Sequence, residues 1–238
     1  MAASLPATPD LSVVIPARNE EQYVGAALAS VAAQTWPLER LEIVVVDNGS
    51  TDATAEVVRA FQAAHPQLTI QLVDEPRAGV AQAKNRGASA ARGEWLLFLD
   101  ADSRMAPDLA ERVVAWGRKG YPAGSIRIVA DSQDYLDRAF FGLMEFGKHV
   151  FKLQAQMFYC ARALFTGMGG FAVGLRLAED REFLIRLEQA GNRLCQVRES
   201  WIATSPRRLR RLPYRLSMVT TLVRWTLANW GIGRRWRD

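Results

Sequence analysis

The chain has few of the residues that most often bind soft metals or form disulfides. Of its 238 residues, two are cysteine and two are histidine. Cys160 and Cys195 cannot build a disulfide framework, and neither sits in a CxxC pair, which argues against thiolate metal binding. His65 and His149 are far apart in sequence. Any metal is therefore expected to be hard and oxygen-bound, Mg2+ or Mn2+ rather than zinc. The opening MAASLPATPD lacks a basic region followed by an apolar stretch, so no secretory signal is expected and the cytoplasm is the default setting. Linkers, low-complexity segments and internal repeats are also missing. No GxGxxG follows the first apolar run, which counts against a dinucleotide-dependent oxidoreductase.

Charge is present but unevenly placed. The net charge of the chain is +5. From Pro206 onward nine arginines face one acid, a net +8, which leaves −3 for the first 205 residues. A mildly acidic body argues against a nucleic-acid partner. The expected division is a domain over 1–205 and a basic tail over 206–238.

Short apolar runs mark buried strands at Leu11–Ile15, ended by Pro16, at Glu42–Val46, at Leu68–Val73 and at Trp95–Leu99. Helical spacing separates them: Val24, Ala27, Leu28 and Val31 after the PARNE loop, then Val57, Val58 and Phe61, then the alanine-rich stretch 80–91. Ser50 or Thr51 is placed to cap the second of these helices. Alternation of this kind predicts an α/β fold with parallel strands and covering helices. The second half predicts a helix over 107–119, a strand over 125–129 and mostly helix over 134–165. A glycine-rich loop over 165–171, a helix over 179–190 and a strand over 194–197 follow.

Ligands of such sheets bind beyond the carboxyl ends of the strands, where Asp47 and Asp100 fall. Asp100 and Asp102 flank Ala101 directly after WLLFL. Residues two apart in extended chain point the same way, so both carboxylates can face one hard ion, whose shell substrate phosphates commonly complete. The DxD pattern alone is common and equally describes a solvated turn. Glu20 and Glu21, or Glu179 and Asp180, also read as acids of a first helical turn, and Asp47 before Asn48-Gly49 as a turn residue.

Four strings occur in order: VVIPARNEE (13–21), EIVVVDNGSTDAT (42–54), AKNRGASAARGEWLLFLDADS (83–103) and GGFAVGLRLAEDREFLIRL (169–187). Together they closely resemble the family 2 glycosyltransferases, over about residues 11–200. The resemblance implies a GT-A fold, that is, a Rossmann-like, mostly parallel sheet flanked by helices. It also implies transfer of a sugar from a nucleotide-diphosphate donor by metal-assisted single displacement, with inversion. Residue by residue, Pro16, Ala17 and Glu20 match the loop lining the nucleoside pocket, and Asp47 the aspartate that bonds the base. Asp100 and Asp102 match the donor and metal acids, with Asp102 the direct metal contact. Asp180, in the pair Glu179-Asp180, matches the acceptor-side base. The family often has arginine where this chain has Lys84. Lysine cannot make a two-pronged phosphate contact, so Arg86 or Arg77 stand as substitutes. Gly167 to Gly170 would lie against donor sugar and acceptor, or simply form a flexible connection. The rival reading is a catalytically silent nucleotide-sugar-binding or scaffold protein on the same fold.

In the tail, Leu216, Val219, Val223, Leu227 and Trp230 lie at helical spacing between arginines. The run from Leu216 to Ile232 contains Arg224 and is short for a membrane span. It predicts either a helix lying on an anionic membrane surface or a helix packed on the domain. The acceptor, whether lipid-linked or glycan, is not specified by these patterns.

Overall fold

The structure is a computed structural model that describes residues 8–150, 157–174, 179–210, 218 and 220. The elements in chain order are β1 (Leu11–Ala17), α1 (Val24–Ala32), β2 (Leu41–Asp47), α2 (Thr54–Ala64), β3 (Thr69–Asp74), α3 (Val80–Ala90), β4 (Trp95–Phe98), β5 (Ser103–Met105), α4 (Leu109–Arg118), β6 (Ala123–Ala130), α5 (Tyr135–Val150), β7 (Phe158–Ala161), α6 (Arg162–Gly167), α7 (Glu179–Gln189) and β8 (Leu194–Thr204). A 3-10 turn, Pro206–Arg210, follows β8. The strands form one sheet in the order β3-β2-β1-β4-β7-β6-β8-β5. The first four are parallel, β7 is antiparallel to both neighbours, β6 and β8 are parallel, and β5 is antiparallel to β8.

The apolar runs are continuous because the sheet is covered on both faces. Val13, Ile15, Ile43, Val45 and Leu97 enter one core with α1 and α4. Their alternating neighbours Val14, Val44, Val46, Leu96 and Phe98 enter a second core with α3, α6 and α7. In the second core Phe98, Phe158, Phe165, Phe171 and Phe183 pack with ring centroids 4.9–5.8 Å apart. Gly87 lets α3 lie close on the sheet: a β-carbon there would stand 2.4 Å from Val14 Cγ1. That approach sets where Lys84, one turn earlier, can reach.

Several expectations need correction. Strand β1 runs through Pro16 to Ala17. Val14 accepts from the Leu99 N–H, and Pro16 faces the same side two residues on. The β4 ladder has ended there, so the missing proline donor is not needed. Helix α2 starts at Thr54 rather than after Ser50 or Thr51, and the carboxylates of Asp52 and Glu21 accept the N–H groups of Thr54 and Ala53 at 3.0 Å each. The stretch 134–165 is mostly helical as expected, through α5 and the start of α6, but FYCA within it forms β7. Its side chains enter both cores, Tyr159 one and Phe158 and Cys160 the other, so no apolar–polar alternation marks it. No glycine or proline separates it from α6. The expected loop over 165–171 is helical through Gly167. β8 extends to Thr204, with Arg198 to Ser200 looped out where the register jumps from Ile126↔Val197 to Arg127↔Trp201. The short β5 had no sequence signal of its own. The Leu216–Ile232 run lies outside the described residues except Met218 and Thr220, both helical.

Candidate functional site

The β1–α1 and β2–α2 loops meet at the carboxyl edge of the sheet, and side chains bind them together. Asn19 takes a left-handed φ of 56°, a conformation asparagine tolerates better than most residues. Its Oδ1 accepts from the Thr51 N–H at 2.8 Å, and its own N–H donates to Ser50 Oγ at 3.0 Å. The Glu20 N–H donates to Thr54 Oγ1 at 2.8 Å. Ala17 is level with Asp47, and Asp47 with Asp74. Asp47 Oδ1 accepts from the Ser50 N–H at 2.9 Å, so one face of this carboxylate shapes its own turn.

The next loop is held by Asn48, which sequence reading did not single out. Its side chain donates to the carbonyls of Glu75 and Arg77 at 2.8 and 2.7 Å and accepts from the Gly79 N–H at 2.9 Å. Arg77 forms a two-pronged pair with Glu75, both bonds 2.8 Å. The guanidinium bonds hold the Glu75 carboxyl down at about 2, against burial, which opposes the shift. The fork of Arg77 is thus already engaged, while Arg86 is exposed.

Two clusters of charge lie beyond. In the first, Arg207 of the 3-10 turn reaches back over the sheet edge. Its Nε donates to Asp102 Oδ2 at 2.9 Å, its Nη2 pairs with Glu20, and its guanidinium stacks on Tyr23 at 4.4 Å from the ring centroid. Asp102 is buried. The loop is closed by the Ser205 N–H donating to the Asp102 carbonyl at 3.1 Å. Arg210 anchors the same turn by pairing with Asp137 at the start of α5. Sequence reading missed Arg207 because it is one of nine arginines in a segment that lacks an apolar rhythm at that point.

In the second cluster Lys84, from α3, meets the first turn of α7. Its ammonium donates to Glu179 Oε1 at 2.9 Å and to Asp180 Oδ1 at 2.7 Å. The three side chains are only 5%, 10% and 16% exposed. Burial raises the Asp180 carboxyl to about 6; Lys84 opposes the shift, and the negative charges of Glu179 and Asp100 add to it. Asp100 therefore lies within electrostatic reach of α7. Burial weakens the Lys84 ammonium, yet Asp180, Glu179 and Asp100 outweigh burial and raise it above its ordinary value. Lys84, expected at a donor phosphate, sits instead among carboxylates.

Asn85, next to Lys84, fixes the glycine segment. It donates to the Phe171 carbonyl and accepts from the Phe171 N–H, both at 2.9 Å. Gly170 takes φ 69°, and a β-carbon there would stand 2.6 Å from Asn85 Oδ1. Glycine is thus required by both conformation and space. Arg186 of α7 donates to the carbonyls of Met168 and Gly170 at 2.7 and 2.6 Å, so this segment is tied to the helix that carries Asp180.

Five carboxylates (Glu20, Asp100, Asp102, Glu179, Asp180) surround two cations, Lys84 and Arg207. No three His, Cys, Asp or Glu side chains converge as a ready ligand set among the described residues. An all-oxygen acidic site of this kind fits a divalent ion that draws its other ligands from a diphosphate and water.

Residues 12–181 match the family Glycosyl transferase family 2, and the chain belongs to that family. It is 32% identical over 187 residues to the PGL/p-HBAD biosynthesis glycosyltransferase of Mycobacterium bovis, covering 76% of this chain and 70% of that protein. It is 39% identical over 107 residues to glycosyltransferase AglE of Haloferax volcanii, covering 45% of this chain but only 35% of that relative. The mannosyltransferase PcManGT of Pyrobaculum calidifontis, solved with GDP-Man and Mn2+, superposes with a TM-score of 0.68 at 25% identity, over 91% of this chain and 64% of that one. The fold is GT-A. No helix among the described residues is long and apolar enough to cross a membrane.

Proposed function

We propose that this protein transfers a sugar from a nucleotide-diphosphate donor to an acceptor hydroxyl by single displacement with inversion. The observation that carries this is Asp180, a nearly buried carboxylate raised to about 6 and within electrostatic reach of Asp100 at the end of β4. A group with that affinity can hold the proton leaving an attacking hydroxyl and still be ionised at neutral pH. The acceptor oxygen bonds the anomeric carbon as the bond to the diphosphate breaks on the opposite face, and the hydroxyl proton passes to Asp180. Glu179 and Lys84 orient that carboxylate. Pro16, Ala17, Glu20 and Asp47 bind the nucleoside, and Asp100 and Asp102 face the diphosphate. Asp102 and Asp100 would hold Mg2+ or Mn2+, which offsets charge on the leaving diphosphate. GDP-Man and Mn2+ in PcManGT support the donor class and the metal.

Residues 1–205 form the catalytic unit in this reading. The segment 206–238 is a basic strap whose first turn enters the site and whose remainder contacts an anionic membrane surface from the cytoplasmic side.

Thermal unfolding against UDP-, GDP- and dTDP-sugars, with and without Mn2+, tests the donor site. A ligand at 100 times its Kd stabilises the native state by about 2.7 kcal/mol, a rise on the order of 5–10 °C for a chain of this size. A metal-dependent rise with one nucleotide is the expected result, and no rise with any donor would contradict the proposal.

Arg207 bears on metal entry, because its guanidinium holds an oxygen that the ion would use. Without nucleotide, the Arg207→Ala variant is expected to bind Mn2+ about tenfold more tightly, since a charge-assisted pair no longer has to break. Titration followed by Mn2+ paramagnetic resonance measures this, and equal affinity would remove Arg207 from competition with the ion.

A further inference from the structure

Beyond the acids, on the other side of β8, lies a cleft that the reaction above does not use. It opens between β6 and α5 with a volume of ≈ 640 Å³, within the range of small-molecule sites. Its place follows from strand register. Ser103, Thr204 and Ala130 lie abreast on β5, β8 and β6. Two strand spacings, about 10 Å, therefore separate the neighbour of Asp102 from the rim of the cleft. Hydrogen bonds tie the two together: the Ser103 and Thr204 hydroxyls lie 2.9 Å apart, and the Asp131 N–H donates to the Thr204 carbonyl at 2.9 Å. Arg210 holds the rim from the other side through Ser132 at 3.0 Å.

The lining has two characters. Trp201 and Phe141 offer apolar surface, and Arg127 and Arg138 contribute two guanidinium groups. Among the described residues neither arginine has a carboxylate within ion-pair distance. The one acid of the lining, Glu145, is paired with Lys148 and so does not answer them. Two uncompensated guanidiniums in one cleft call for a ligand with more than one anionic oxygen to share between forks. A phosphate ester provides this, whereas a single carboxylate leaves one fork unanswered. Aromatic surface beside the charge selects an ester with a flat or alkyl body.

We propose that the cleft between β6 and α5 binds a phosphate ester with an apolar body, Arg127 and Arg138 gripping the phosphate and Trp201 and Phe141 the body. That this ester belongs to the acceptor rests on the transferase reading; the anion site itself does not. The ester has two sources, a soluble phosphorylated molecule or a phospholipid-type headgroup. The outer face of α5 gives the second a physical basis, since Leu136, Leu143 and Phe146 stand 53%, 55% and 64% exposed beside the cleft.

The test uses the full chain and two probes. Calorimetric titration with phenyl phosphate is expected to show binding to the wild type, weakened about tenfold or more in Arg127→Gln and in Arg138→Gln. Titration of the same proteins with UDP and GDP is expected to be unchanged, so failure of the cleft and failure of the donor site read separately. Competition with vesicles of phosphatidylcholine and phosphatidic acid then distinguishes the sources, because it reads the cleft and not the basic tail. Displacement of phenyl phosphate by the vesicles assigns a lipid phosphate. Phenyl phosphate binding undisturbed by the vesicles assigns a soluble ester. A wild type that does not bind phenyl phosphate, or variants that bind it equally well, would overturn the proposal.

Discussion

The Asp180→Asn variant is expected to retain donor binding and to lose sugar transfer by about 10³-fold, the middle of the range for a positioned general base. Asparagine has the shape of aspartate and its carbonyl can still accept from Lys84, now 2.7 Å from Asp180 Oδ1. Glu179 continues to pair with the ammonium at 2.9 Å. What disappears is the ability to hold a proton. Because that ability matters only as the hydroxyl attacks, kcat and kcat/KM should fall together, with donor affinity unmoved. The wild type supplies an internal check. With the carboxyl raised to about 6 by burial, the rate should climb with pH through that value as the base ionises. The asparagine variant should lack this limb. Wild-type transfer by Asp180→Asn would move the role of base elsewhere, with Glu179 the first alternative, and would favour neither the silent-binder reading nor the present one for Asp180.

The first four strands and their helices were legible because each strand is buried on both faces and each helix on one. Those two patterns differ in period, and Asp47 closes β2 while Asp100 follows two residues after β4. Of the site acids, Asp100 and Asp102 stood out by their place just after a buried strand, whereas Glu20, Glu179 and Asp180 drew their roles only from the family resemblance, since by themselves they read as acids of a first helical turn. Strand β7 was not legible, because it pairs with β4 and β6, which are distant in sequence, and its four residues alternate between two apolar cores, leaving no apolar–polar rhythm. The contacts of Lys84 were also hidden. Its partners come from α7, 95 and 96 residues away, and only the approach of α3 at Gly87 brings them together. Arg207 is the clearest case. The sequence assigns it to a basic tail, whereas its guanidinium lies between Glu20 and Asp102, 187 and 105 residues distant. Net charge located the tail and gave no hint that one of its arginines enters the site.

Replacing Lys84 by methionine should be the most destabilising single change in the site. The side chain is similar in length and apolar, so the loss is almost purely of charge. Removing one partner of a buried ion pair typically costs about 3–5 kcal/mol, because the remaining charge is left uncompensated. Here two carboxylates are left, with Asp100 adding to the repulsion at Asp180. For a chain of this length that is a fall in Tm on the order of 10 °C. The loss must depend on pH, and its sign is fixed. Lys84 lowers the affinity of Asp180 for a proton, so its removal raises a carboxyl that already sits above its unfolded value. A carboxyl raised in the folded state contributes stability at low pH that is lost as pH rises through the folded value. The deficit of Lys84→Met should therefore be small near pH 4 and widen as pH passes 6, as the variant is forced to bury two anions. Its activity limb should shift upward in the same direction, because the base ionises later. Parallel unfolding curves and rate profiles across pH 4–8 would measure both. A deficit that does not vary with pH would show that Lys84 acts through the packing of its apolar stem and not through its charge.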